Sequence, residues 1–64
     1  MTRQDYYKQR LALDKDFERY LMTGDLDKAK ETKNKIGELM RQGLEQLGKQ
    51  DFLNVELEFE TKNY

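Results

Sequence analysis

The 64-residue sequence predicts a mostly α fold, an antiparallel two-helix hairpin followed by one C-terminal β-strand and completed by oligomerisation. Three observations carry this expectation. Leu26, Ala29, Lys33, Ile36, Met40, Gly43 and Leu47 recur at alternating spacings of 3 and 4, which places them on one stripe of a helix. Thr23-Gly24-Asp25 interrupts the helical pattern with residues suited to a helix end and a new helix start. After Gly48 the apolar period changes from that of a helix to the alternation of a strand.

Thr2 is a good N-cap for the first helix, and Asp5 three residues later can return to the cap backbone as in a capping box. The helix is expected over about 3–22. Tyr6, Leu13, Phe17, Tyr20 and Leu21 form its apolar stripe, bordered by Tyr7, Leu11 and Met22. This arc is about twice as wide as the seam of a helix pair needs. Either it is broken by Arg10, Asp14 and Glu18 at a solvent rim, or it covers two neighbours. A hairpin supplies only one neighbour, so the second is expected from another subunit.

Gly24 can end that helix in the left-handed conformation, and Asp25 can cap the next, expected over about 25–47. So short a connection makes the helices antiparallel neighbours. Gly24-Asp25-Leu26-Asp27-Lys28-Ala29 is similar to the inter-helix turn of tetratricopeptide repeats, which implies a tight crossing. No repeat period of about 34 residues accompanies it, so the family's peptide binding does not follow. In the second helix Gly43 lies on the seam, where a missing side chain permits close approach. Gly37 lies off the seam, and nothing in the pattern requires it. Lys33, on the seam, would set register if buried or snorkel to the rim.

Residues 1–50 thus form the hairpin, and 51–64 a strand or tail. Leu53, Val55, Leu57, Phe59 and Thr61 alternate with Asn54, Glu56, Glu58, Glu60 and Lys62, giving one apolar and one acidic face. A lone strand leaves its ladder groups unpaired, so it must pair outside its own protomer.

With 36% apolar residues the core is thin, and a chain this small needs a disulfide, a metal or a partner. It has neither cysteine nor histidine, so oligomerisation is the staple left. Twelve basic and thirteen acidic residues balance to −1, against a dedicated polyanion binder. Residues 1–50 carry +2 (eleven basic, nine acidic) and 51–64 carry −3 (one basic, four acidic). No segment reads as a membrane span or signal peptide, and a cytoplasmic location is expected.

Candidate chemistry is sparse. Asp25-x-Asp27 opens like a calcium loop, but Lys30 replaces the needed glycine and Ile36 the closing glutamate, so a helix cap is the better reading. Asp14, Asp16 and Glu18 point in different directions from a helix. Lys28 and Lys35 face nearly opposite to Lys30 and Lys33, which disperses an apparent phosphate-binding run. No catalytic residue, cofactor or metal site is expected. Met1-Thr2-Arg3-Gln4 and Leu21-Met22-Thr23-Gly24 resemble stretches of the small phage head-completion proteins. Their element order differs, so the resemblance implies only a phage or mobile-element source.

The expected function is that of a small protein–protein interaction module, an adaptor or inhibitor and not an enzyme. It would self-associate as a homodimer with coiled-coil character through Tyr6, Leu13, Phe17, Tyr20, Leu21, Ile36, Met40 and Leu47. It would bind an unidentified protein through its helix surface and, by strand addition, through Leu53, Val55, Glu56, Leu57, Glu58, Phe59 and Glu60. The alternative is a nucleic-acid-associated protein using the Lys/Arg-bearing helices, although nucleic acid is the less expected partner and a membrane is not expected at all.

Overall fold

The computed structural model describes residues 1–63 and consists of three helices, α1 (Arg3–Thr23), α2 (Leu26–Leu47) and α3 (Lys49–Asn63). Both helices of the predicted hairpin form, and their ends follow the expected chemistry. The Thr2 hydroxyl accepts from the Asp5 amide at 3.1 Å, and the Asp5 carboxylate accepts from the Thr2 amide at 3.4 Å. At the other end the Gly24 amide donates to the Leu21 carbonyl and the Asp25 amide to that of Tyr20, a Schellman closure made with Gly24 at φ 78°. Asp25 then caps α2, accepting from the Lys28 amide at 3.3 Å.

The predicted strand is a helix. Residues 53–61 lie inside α3, and no strand exists among the described residues. The alternation of Leu53, Val55, Leu57 and Phe59 misleads because Phe52 stands outside it. On a helix Phe52, Val55, Glu56 and Phe59 follow the i, i+3, i+4, i+7 rule and form one inward face. Val55 and Phe59 are buried, while Leu53 and Leu57 point to solvent. Leucine and the three glutamates of this segment are good helix formers, which adds local preference to that face. Its backbone needs no outside partner, since a helix satisfies its own ladder.

This correction accounts for the wide arc of α1. The arc does cover two neighbours, and the second is α3 of the same chain instead of another subunit. Tyr6, Leu39 and Val55, one from each helix, form the buried cluster, with Tyr7, Leu13, Leu47 and Phe52 packed around it. Edge-to-face rings join α1 to α3, Tyr6 to Phe52 at 5.7 Å and Tyr7 to Phe59 at 5.8 Å.

The seam of α2 is also rotated from the predicted one. Ala29, Thr32, Leu39 and Gly43 are its buried residues, whereas Leu26 and Lys33 are exposed. Lys33 therefore sets no core register. Thr32 is tolerated inside because its hydroxyl donates to the Lys28 carbonyl at 2.8 Å.

A single residue joins α2 to α3. The Gly48 amide closes α2 on Leu44, and the Gly48 carbonyl accepts from Phe52 to open α3. Its backbone sits at φ 86°, ψ 159°, a region that only glycine enters without strain. Gly48→Ala is expected to cost about 1–3 kcal/mol, and each kcal/mol lowers the melting temperature of so small a domain by about 4–8 °C. An unchanged melting curve would show that the link relaxes freely.

Candidate functional site

The fold concentrates its unusual side chains where α3 crosses the hairpin. Gly43 prepares the place. A Cβ there would stand 2.6 and 2.8 Å from two atoms of the Tyr6 ring and 3.3 Å from Phe52, so the ring lies directly on the α2 backbone. From that position the Tyr6 hydroxyl donates to Glu56 Oε1. Arg10 Nη1 donates to the same oxygen at 3.2 Å, and the Arg10 guanidinium carbon lies 5.1 Å from the Phe59 ring centre. The side chains of Arg10 and Glu56 retain only 14% and 15% of their exposure, and Arg10 Nε is buried without a hydrogen-bond partner.

Burial, reinforced by the Glu56 carboxylate that accepts its proton, pushes the Tyr6 hydroxyl well above its ordinary value of 10.0. Such a group holds its proton and is no base. The cluster is a clamp: one carboxylate of α3 is held by a neutral and a charged donor from α1. The linkage has a definite sign. Above the ordinary tyrosine value the unfolded chain releases this proton and the native chain keeps it, so stability falls as pH rises beyond about 10. Wild type should lose stability there faster than Tyr6→Phe. Parallel stability profiles for the two proteins across that range would contradict the linkage.

The residues expected to bind a partner are divided by the helix. Val55 and Phe59 are core residues and Glu56 faces the clamp, so these three are engaged inside the protomer. Leu53 and Leu57 are exposed, Glu60 is exposed, and Glu58 pairs with Lys62 at 2.8 Å. The predicted acidic strand face does not exist.

The residues expected to drive self-association lie mostly within the protomer. Tyr6 is fully buried, Leu13, Phe17, Tyr20, Ile36, Met40 and Leu47 are partly buried, and Leu21 is exposed. Asp25 is spent on capping α2, and Asp16 pairs with Arg19 at 3.3 Å. Among the described residues no group of three or more acidic side chains could hold a metal ion. Lys28, Lys30, Lys33 and Lys35 are all exposed.

What remains for binding is apolar and outward. Leu21, Met22 and Leu26 surround the hairpin turn, while Leu44, Leu53 and Leu57 lie on the outer sides of α2 and α3. All six are between 45% and 87% exposed. Arg10, Phe52, Leu39 and Leu44 had no part in the predicted sites. Phe52 was detectable through its helical spacing to Val55, Glu56 and Phe59. Arg10 carried no comparable signal, because a charged residue beside an apolar arc ordinarily faces water.

No helix among the described residues is long and apolar enough to cross a membrane. Set against family models, curated proteins and solved structures, the chain matches none.

Proposed function

We propose that this chain is a small protein–protein interaction module, an adaptor or inhibitor that acts through leucines on its helix surfaces. The observation that carries the reading is the set of large aliphatic side chains left outside a formed core, Leu53 and Leu57 on α3 above all. Scattered exposed leucines are ordinary, but a pair one turn apart on a helix whose opposite face is fully used offers a second, outward stripe. Recognition is then between helices, with anchors at i and i+4, and no strand is donated. Self-association belongs to the same reading and uses exposed surfaces in place of the stripe of α1.

The balanced charge and the dispersal of Lys28, Lys30, Lys33 and Lys35 around α2 disfavour nucleic acid as partner. A cytoplasmic setting and a phage or mobile-element source rest on the sequence alone.

The test is capture of interacting proteins by wild type and by a Leu53→Lys/Leu57→Lys variant whose circular dichroism shows it folded. A protein retained by wild type and lost by the variant supports the reading. Equal retention by both, or none by either, overturns it.

A further inference from the structure

The two junctions of the chain are built unequally. At the first, the Gly24 amide donates to the Leu21 carbonyl, the Asp25 amide to that of Tyr20, and the Asp25 carboxylate caps α2. At the second, Gly48 stands alone between Leu47 and Lys49. Glycine has no side chain with which to cap the amides that open α3.

Gly48 is also a pivot of one torsion. Its φ is 86° and its ψ 159°. The ψ is already that of extended backbone, and a turn of φ alone to about −75° puts the residue in a region open to every amino acid. Such a rotation breaks neither backbone bond at the junction. The Gly48 amide, which donates to Leu44, lies on the α2 side of the N–Cα bond, and the Gly48 carbonyl, which accepts from Phe52, lies on the α3 side. Each helix therefore moves as a rigid body, and α3 swings off the hairpin intact.

What the swing uncovers has an exacting complement. The hairpin is left with the Tyr6 ring on Gly43 and with an Arg10 guanidinium that has lost Glu56. The detached α3 is left with Val55 and Phe59 bare. Within one chain only closing the link again satisfies both. A second opened copy also satisfies both, because its α3 carries the same side chains to the same groove. Reciprocal donation leaves neither groove empty, as a closed two-fold dimer requires. A link this short favours that outcome, since a longer one would let α3 fold back freely.

We propose that α3 is traded between two copies of the chain, and that the torsion of Gly48 sets the balance between the closed monomer and the dimer. The occupant of each hairpin groove in the dimer is the α3 of the second copy. Glycine, at ease with φ 86°, keeps the monomer ahead. The trade uses no outward surface, so it is distinct from association through Leu53 and Leu57, which keep their outward position in both forms.

Gly48→Ala tests it, because alanine is strained in the closed link and relaxed in the open one. Each dimer opens two links, so the dissociation constant measured by sedimentation should fall about 100-fold or more from that of wild type. Ring contacts identify the dimer. Isotope-labelled and unlabelled chains are mixed, unfolded in urea and refolded together at high concentration. Nuclear Overhauser transfer should then pass from the Tyr6 ring of one copy to the Phe52 ring of the other, a pair 5.7 Å apart in the closed chain. A Gly48→Ala protein that stays monomeric at millimolar concentration overturns the proposal, and so does a dimer in which that transfer stays within one chain. If alanine prevents folding, wild type refolded at millimolar concentration must show the transfer in a dimer fraction, and its absence is equally decisive. Inserting Gly-Ser-Gly beside the substituted position should return the protein to monomer, and an undiminished dimer would deny the link its role. Leu53→Lys/Leu57→Lys added to Gly48→Ala should keep the dimer. Its loss would place the contact on the outward leucines, refuting the trade and leaving the interaction surface of α3 standing.

Discussion

Phe59→Ala is expected to release α3 from the hairpin. Phe59 is fully buried, meets Tyr7 edge to face and lies under the Arg10 guanidinium. Removing a buried phenylalanine ring costs about 3–5 kcal/mol, and the cation above it loses a further contribution of about 0.5–2 kcal/mol. Against this stands a total stability of about 3–10 kcal/mol for a chain of this length. α3 is held by few inward side chains, and Phe59 anchors its C-terminal part. Helical circular dichroism should therefore fall at room temperature, and the thermal transition should broaden or disappear. Phe17→Ala, at a position only partly buried, should cost less. The order of these two variants is the measurement. A Phe59→Ala protein more stable than Phe17→Ala would mean that α3 is not attached as described.

Glu56→Ala should be nearly as damaging, for a different reason. The carboxylate itself contributes little net stability, since its burial offsets much of the attraction it makes. Its removal leaves the Arg10 guanidinium buried with no counter-charge and the Tyr6 hydroxyl with no acceptor. Stranding one member of a buried pair costs about 3–5 kcal/mol. Replacing both members with apolar residues of similar volume, Arg10→Met with Glu56→Leu, should restore most of that loss. Urea denaturation of Arg10→Met, Glu56→Leu and the double variant closes the cycle that separates these contributions. If the double variant is less stable than Glu56→Leu by the full cost of Arg10→Met, the two side chains act independently and there is no clamp.

The hairpin was legible because its signals are local and redundant. Thr2 with Asp5, Gly24 with Asp25, and the long apolar stripe of α2 each point to the same two helices. The third helix was not, because its alternating apolar pattern and its helical pattern share Val55 and Phe59. Phe52 and Glu56 decide between them, and the value of Glu56 depends on donors far away in sequence. The same gap affected the site. The width of the α1 arc leaves open a broken rim or two neighbours, and with 53–61 read as a strand the second neighbour is sought in another subunit and not in α3. The α2 stripe was displaced because Thr32 reads as polar until its hydroxyl is seen bonded to the Lys28 carbonyl.

The clamp is also a statement about the order of events. α1 and α2 meet through a turn of two residues, so their pairing closes a short loop at little entropic cost. The bonds from Tyr6 and Arg10 to Glu56 join residues 50 and 46 positions apart, and they form only across a hairpin that already holds Tyr6 against Gly43. These long-range bonds predict that α3 docks late in folding and detaches first on unfolding. Amide hydrogens of α3 should exchange with solvent through this partial opening while those in the middle of α1 and α2 wait for the hairpin itself to separate.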